Sequence, residues 1–129
     1  MSLDAYRRTQ SMSATPRATE YRLMSQVTGD MIQAKEQGLQ GAALMRPLHR
    51  NREVWSTLSI LCRSPGNMLP AMLRASIISL ALWVDRYTSD VIRQRDSIDA
   101  LISVNCAIIE GLAMENAGRA STAENVLPV

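Results

Sequence analysis

Four times along this chain, apolar residues recur at alternating steps of three and four, and glycine or proline stands between the runs. Such steps gather side chains on one face of a helix, whereas a strand would need a period of two. The first run is Tyr21, Met24, Val27, Thr28, Met31 and Ala34, opened by Thr15-Pro16 and closed by Gly38. A threonine can cap a helix, proline fits its first position, and glycine ends it. The second run, Leu44, Leu48, Asn51, Trp55, Leu58 and Cys62, predicts a helix over Gly41–Cys62. Pro47 interrupts it, so this helix is expected to begin near Arg46 after a short turn. The segment Arg63–Asn67 contains Pro65-Gly66 and reads as a loop.

Pro70 opens the third run, in which Leu73, Ile77, Leu80, Ala81, Val84, Thr88 and Val91 form one face and Ile78, Leu82 and Trp83 a second. A helix apolar on several sides is expected at the centre of a bundle. Asp96 or Ser97 should cap the fourth helix, whose stripe is Ile98, Leu101, Ile102, Asn105, Ile108, Ile109 and Leu112. Short connections between helices of this length predict an all-α, compact antiparallel bundle of about four helices with flexible termini. The expected organisation is an N-terminal arm over 1–14, a helical domain over 15–115 and a tail over 116–129.

Composition agrees with helices and narrows the chemistry. The 129 residues include eight Met, no Phe and only 4% aromatics, which disfavours a sheet. The net charge is +2, split between a basic part up to Arg74 (ten Lys and Arg, five acids) and an acidic part from Ala75 on (four Arg, seven acids). A protein that tracks a nucleic-acid strand is usually far more basic. No apolar stretch is long enough to span a bilayer and MSLDAYRR has no apolar signal core, so a cytoplasmic protein without membrane insertion is expected. Cys62 and Cys106 stand far apart and His49 is the only histidine. No metal site, nucleotide-binding loop or nucleophile motif is present. The expectation is no enzyme, no cofactor and no small-molecule substrate.

Binding is then the function class that remains. The run Arg46-Pro-Leu-His-Arg-Asn-Arg52 reads either as a solvated helix face or as a contact for an acidic partner. It is also the support for an RNA contact, though no stacking aromatics interleave with it. Asn51 and Asn105 fall on apolar stripes. Either they bond each other, a backbone carbonyl or a neighbouring Ser and fix helix register, or one lines a groove and bonds a partner's backbone. Met24 and Met31 read either as core filler or as part of an adaptable groove for an amphipathic helix. The expected partner-binding residues are Tyr21, Met24, Thr28, Met31, Arg50, Asn51 and Trp55.

The segments Thr15-Pro-Arg-Ala-Thr-Glu-Tyr21, Asn51-Arg-Glu-Val-Trp55, Pro65-Gly-Asn-Met-Leu-Pro70, Leu73-Arg-Ala-Ser-Ile-Ile-Ser-Leu-Ala-Leu-Trp83-Val and Ile98-Asp-Ala-Leu-Ile-Ser-Val-Asn105 resemble the FlaF family of flagellar biosynthesis regulators, from about Met1 to Ala113. The resemblance implies a role in flagellin synthesis and export, as a chaperone or adaptor that binds the terminal helices of flagellin and acts with FlbT. The alternative it implies is post-transcriptional control of flagellin messenger RNA together with FlbT.

Overall fold

The computed structural model describes residue 3 and residues 16–125. The expected arm, Leu3 apart, and the last four residues of the expected tail lie outside the described residues. Four helices follow one another: α1 (Pro16–Glu36), α2 (Ala42–Arg63), α3 (Ala71–Ile92) and α4 (Asp99–Asn125). Each neighbour in sequence runs antiparallel to the last, and α4 returns beside α1. The adjacent pairs are α1–α2, α2–α3, α3–α4 and α4–α1; across the diagonals the backbones of the described helices do not approach one another, and α2 and α4 meet through side chains.

Local chemistry sets where each helix stops. After α1, Leu39 N–H donates to the Ala34 carbonyl and Gly38 N–H to the Lys35 carbonyl, both at 3.0 Å. This is the pair of bonds that satisfies orphan carbonyls when the next residue turns left-handed, and Gly38 has φ 66°. The end of α3 repeats it: Arg95 N–H reaches the Asp90 carbonyl at 2.9 Å and Gln94 N–H the Val91 carbonyl at 3.0 Å. Here the left-handed residue is Gln94, φ 61°, not glycine.

After α2, the Asn67 side chain donates to the Leu61 carbonyl at 2.9 Å and accepts from Leu69 N–H at 3.0 Å. One amide thus closes a helix and shapes the loop that follows, and Leu69 tucks into the core. At the start of α4, the Ser97 hydroxyl accepts from Asp99 N–H at 3.1 Å, the cap expected there.

The core is one cluster that follows the predicted stripes. Met24, Met31, Leu48, Trp55, Ile77, Val84, Leu101 and Leu112 are all buried within it. Three expectations need correction. α2 begins at Ala42, a turn early, with Pro47 inside it. The missing proline N–H costs the helix one bond near its first turn, where Leu44 packs on the core and holds the chain in place. α3 is not central: it packs along α2, only lightly on α4, and not on α1. Leu82, on its supposed second apolar face, is 56% exposed, and the half-buried Trp83 stacks on Tyr87 with ring centroids 4.7 Å apart. No helix of the ring is central: α1 and α2 each pack extensively on both sides, α3 and α4 mainly on one. Finally, α4 continues ten residues past the expected boundary at Glu115. Alanines at 117, 120 and 123 favour helix even where no apolar stripe drives burial.

Candidate partner-binding site

Three helices are tied together at mid-height by a buried cluster of polar side chains. Asn105 of α4 donates from Nδ2 to Thr28 Oγ1 of α1 at 2.9 Å and to Asn51 Oδ1 of α2 at 2.7 Å. Its Oδ1 accepts from Trp55 Nε1 at 2.8 Å. Thr28 passes its own proton back to the Met24 carbonyl at 2.6 Å. Asn51 and Asn105 are completely buried and Trp55 is 1% exposed. Such groups cost ~1–3 kcal/mol each if left without partners. The cluster satisfies all but one, since Asn51 Nδ2 has no partner. The two asparagines therefore do bond each other, the first of the two readings open from the sequence.

This burial determines which of the expected contact residues another molecule can touch. Met24, Thr28, Met31, Asn51 and Trp55 are all sealed in the interior. Tyr21 and Arg50 are exposed, but on different faces: Arg50 lines the seam between α1 and α2, whereas Tyr21 lies outside it. The Met-bearing stripe is core, and an interior Met fills irregular space as readily as a surface one adapts to partners.

The outer side of the α1–α2 seam is open, a feature the stripes did not reveal. At one end a recess of about 530 Å³ lies among Leu23, Val54, Leu58 and Leu61 and runs to Pro65 and Gly66. At the other, about 500 Å³ lies between Gln26, Asp30 and Gln33 of α1 and Arg46, Pro47 and Arg50 of α2. Where α1 meets the apolar recess, Arg17 and Glu20 form an ion pair at 2.6 Å that is almost wholly buried. Cys62 lies near them, and burial, reinforced by the Glu20 carboxylate, pushes its thiol above the usual range.

The arginine cluster of α2 divides between two faces. Arg52 turns toward α3, donating to the Asp85 carbonyl at 2.7 Å and to Ser89 Oγ at 3.0 Å, with its Nε 3.1 Å from the Asp85 carboxylate. His49 pairs with Glu53 along the helix at 2.9 Å. Arg46 and Arg50 remain on the α1 side without an ion pair among the described residues. At the end of the bundle where α1 stops and α4 starts, Lys35 and Asp99 form an exposed pair. The Lys35 and Ser97 hydrogen bonds hold the Asp99 carboxyl below its ordinary range.

Among the described residues no group of three or more His, Cys, Asp or Glu side chains is placed to hold a metal ion. No helix among them is long and apolar enough to cross a membrane. A family model described as flagellar protein FlaF matches residues 2–112, which takes in α1 to α3 and the packed part of α4. No curated protein and no solved structure matches the chain.

Proposed function

The chain belongs to the FlaF family of flagellar proteins, and we propose that it is a non-enzymatic adaptor that binds flagellin and supports its synthesis and export. The observation that carries this reading is the open α1–α2 seam on a bundle whose buried polar groups are almost all engaged with one another. Flagellin's terminal helices have apolar stripes that stay unpaired until the filament assembles. A recess with apolar walls can cover part of such a stripe, each Å² removed from water contributing ~25 cal/mol before the entropy of association is subtracted. FlbT is the second proposed partner.

The RNA reading draws little support from this arrangement. Only Arg46 and Arg50 of the cluster stand unengaged beside the seam, and no aromatic side chain lines that end of it for bases to stack on.

Purified flagellin and flagellin lacking its terminal helices, each offered to the immobilised full chain, test the proposal. Intact flagellin should be retained and the truncated form lost. Retention of neither would remove the reading.

A further inference from the structure

We propose that the α1–α2 seam accepts a helix with a defined polarity: its apolar stripe lies over Leu23, Val54 and Leu61, and its acidic end lies beside Arg46 and Arg50. This deepens the adaptor reading and rests on it for the identity of the natural guest.

The two recesses lie end to end along one seam. A single face of α1, stepping through Thr19, Leu23, Gln26, Asp30 and Gln33 by four, three, four and three, lines both. At ~1.5 Å per residue that face runs roughly 21 Å, the length of about four turns of a guest helix. Opposite it, α2 offers Leu61, Leu58 and Val54 at one end and Arg50 and Arg46 at the other. Leu58 is the floor, 2% exposed, while Leu61 is 40% exposed at the rim. The groove is thus apolar toward the Pro65-Gly66 loop and polar toward Gly41.

Charge selects the guest's direction. Asp30 is the one acid lining the polar recess, so Arg46 and Arg50 leave that end net positive, and none of the three has an ion pair among the described residues. α2 also begins at this end, with no acidic residue in its first turn and no side-chain cap from Gly41. α1 ends beside it, so the two backbone dipoles offset each other and the positive charge of this end is that of the arginines. By contrast, Arg52 beside the α2–α3 opening and Lys35 beside the opening between the loops are already paired with aspartates. The exposed amides of Gln26 and Gln33 can donate to a guest carboxylate.

Two probes separate the groove from its natural occupant. The first is a synthetic amphipathic peptide of about four turns, with a leucine stripe and glutamates at one end, and a twin with lysines in place of the glutamates. The second is purified monomeric flagellin. The full chain is compared with R46E/R50E and with R63E/R93E, whose substitutions lie outside the groove, each first checked for unchanged helical circular dichroism. The glutamate peptide should bind the natural chain and lose roughly tenfold in affinity on R46E/R50E, with nothing lost on R63E/R93E. The lysine twin should regain affinity on R46E/R50E, and flagellin should weaken as the glutamate peptide does.

Equal binding of both peptides to all three proteins overturns the groove assignment, as does failure of either peptide to bind any of them. Peptide binding with the charge swap but no flagellin binding leaves the groove standing and removes flagellin as its guest. Flagellin binding indifferent to R46E/R50E keeps the adaptor reading and refutes this site. Concentration-dependent dimerisation of the natural chain that R46E/R50E abolishes would assign the groove to a second copy and refute the proposal.

Discussion

Two buried threonines sit in similar surroundings and do different things. Thr28 of α1 and Thr88 of α3 each donate to the carbonyl four residues back in their own helix, at 2.6 Å in both cases. Thr28 also accepts from Asn105 and so joins α1 to α4. Thr88 makes no second hydrogen bond among the described residues, so its hydroxyl bonds only within α3. The contrast extends to the helices that carry them. α1, α2 and α4 are locked in register by directional bonds among Thr28, Asn51, Trp55 and Asn105. α3 is held by apolar packing, by Arg52 reaching across to Asp85 and Ser89, and by Tyr87 donating to the Ser97 carbonyl at 2.8 Å. Apolar contacts constrain spacing loosely, while hydrogen bonds between helices fix which residues face each other.

The most severe way to break this contrast is Asn105→Ala. It strands the Trp55 N–H and the Asn51 carbonyl oxygen and leaves a cavity, and should cost about 3 kcal/mol in denaturant-unfolding stability. A cost below ~1 kcal/mol would mean the cluster does not hold the three helices.

The two threonines give the sharpest paired test. Thr28→Val strands one Asn105 N–H and should cost about 2 kcal/mol. Thr88→Val removes only a bond to a carbonyl within its own helix and should stay within ~0.5 kcal/mol of the natural chain. Equal losses at the two positions would erase the distinction.

At the ends of α1 and α3 the same turn is built once on Gly38 and once on Gln94. Gln94→Gly should stabilise the protein by about 0.5–1 kcal/mol, read as a higher midpoint in denaturant, since glycine meets no steric penalty at positive φ. No gain would place the constraint in the Gln94 side chain instead of its backbone.

The smallest effect concerns the two thiols, one in the core and one on the surface. Burial raises Cys62, whereas Cys106 is exposed. A thiol reagent at neutral pH should consume one equivalent quickly and the second only as the protein opens. Because the folded Cys62 holds its proton more tightly than the unfolded one, its contribution to stability is complete below the unfolded value of 9.0 and declines as the pH rises above it. An unchanged denaturant midpoint between pH 8 and pH 10 in a Cys106→Ser background would contradict this.

The stripes were legible because burial in a bundle follows the helical period. From Leu48 through Asn51, Trp55 and Leu58 to Cys62, the predicted seam of α2 is buried throughout. Periodicity identifies a face but not how many neighbours cover it, which is why α3 read as central while Leu82 lies in the open. Pro47 misled because the local cost of one bond competes with the docking of Leu44, a tertiary contact with no signature nearby in sequence. The candidate site was the least legible part. Of the expected contact residues only Arg50 lines the seam, and nothing in the sequence sets Leu23, Val54 and Leu61 apart. Their openness depends on how far apart two helices stand, and no stripe records that distance.

One donor, Asn51 Nδ2, ends in the interior with nothing to bond. Suppose α2 slid by a turn against its neighbours. Leu48 or Trp55 would then arrive where an amide is required, and Asn105 would lose its bonds to Asn51 and Trp55 while keeping the one to Thr28. Within this cluster the aligned arrangement leaves one such group and a slipped one leaves several, so incorrect alignments lie well above the native one in free energy. The asparagine pair thus acts less as cement than as an index mark, favouring a single alignment of the helices even though the mark itself is imperfectly satisfied.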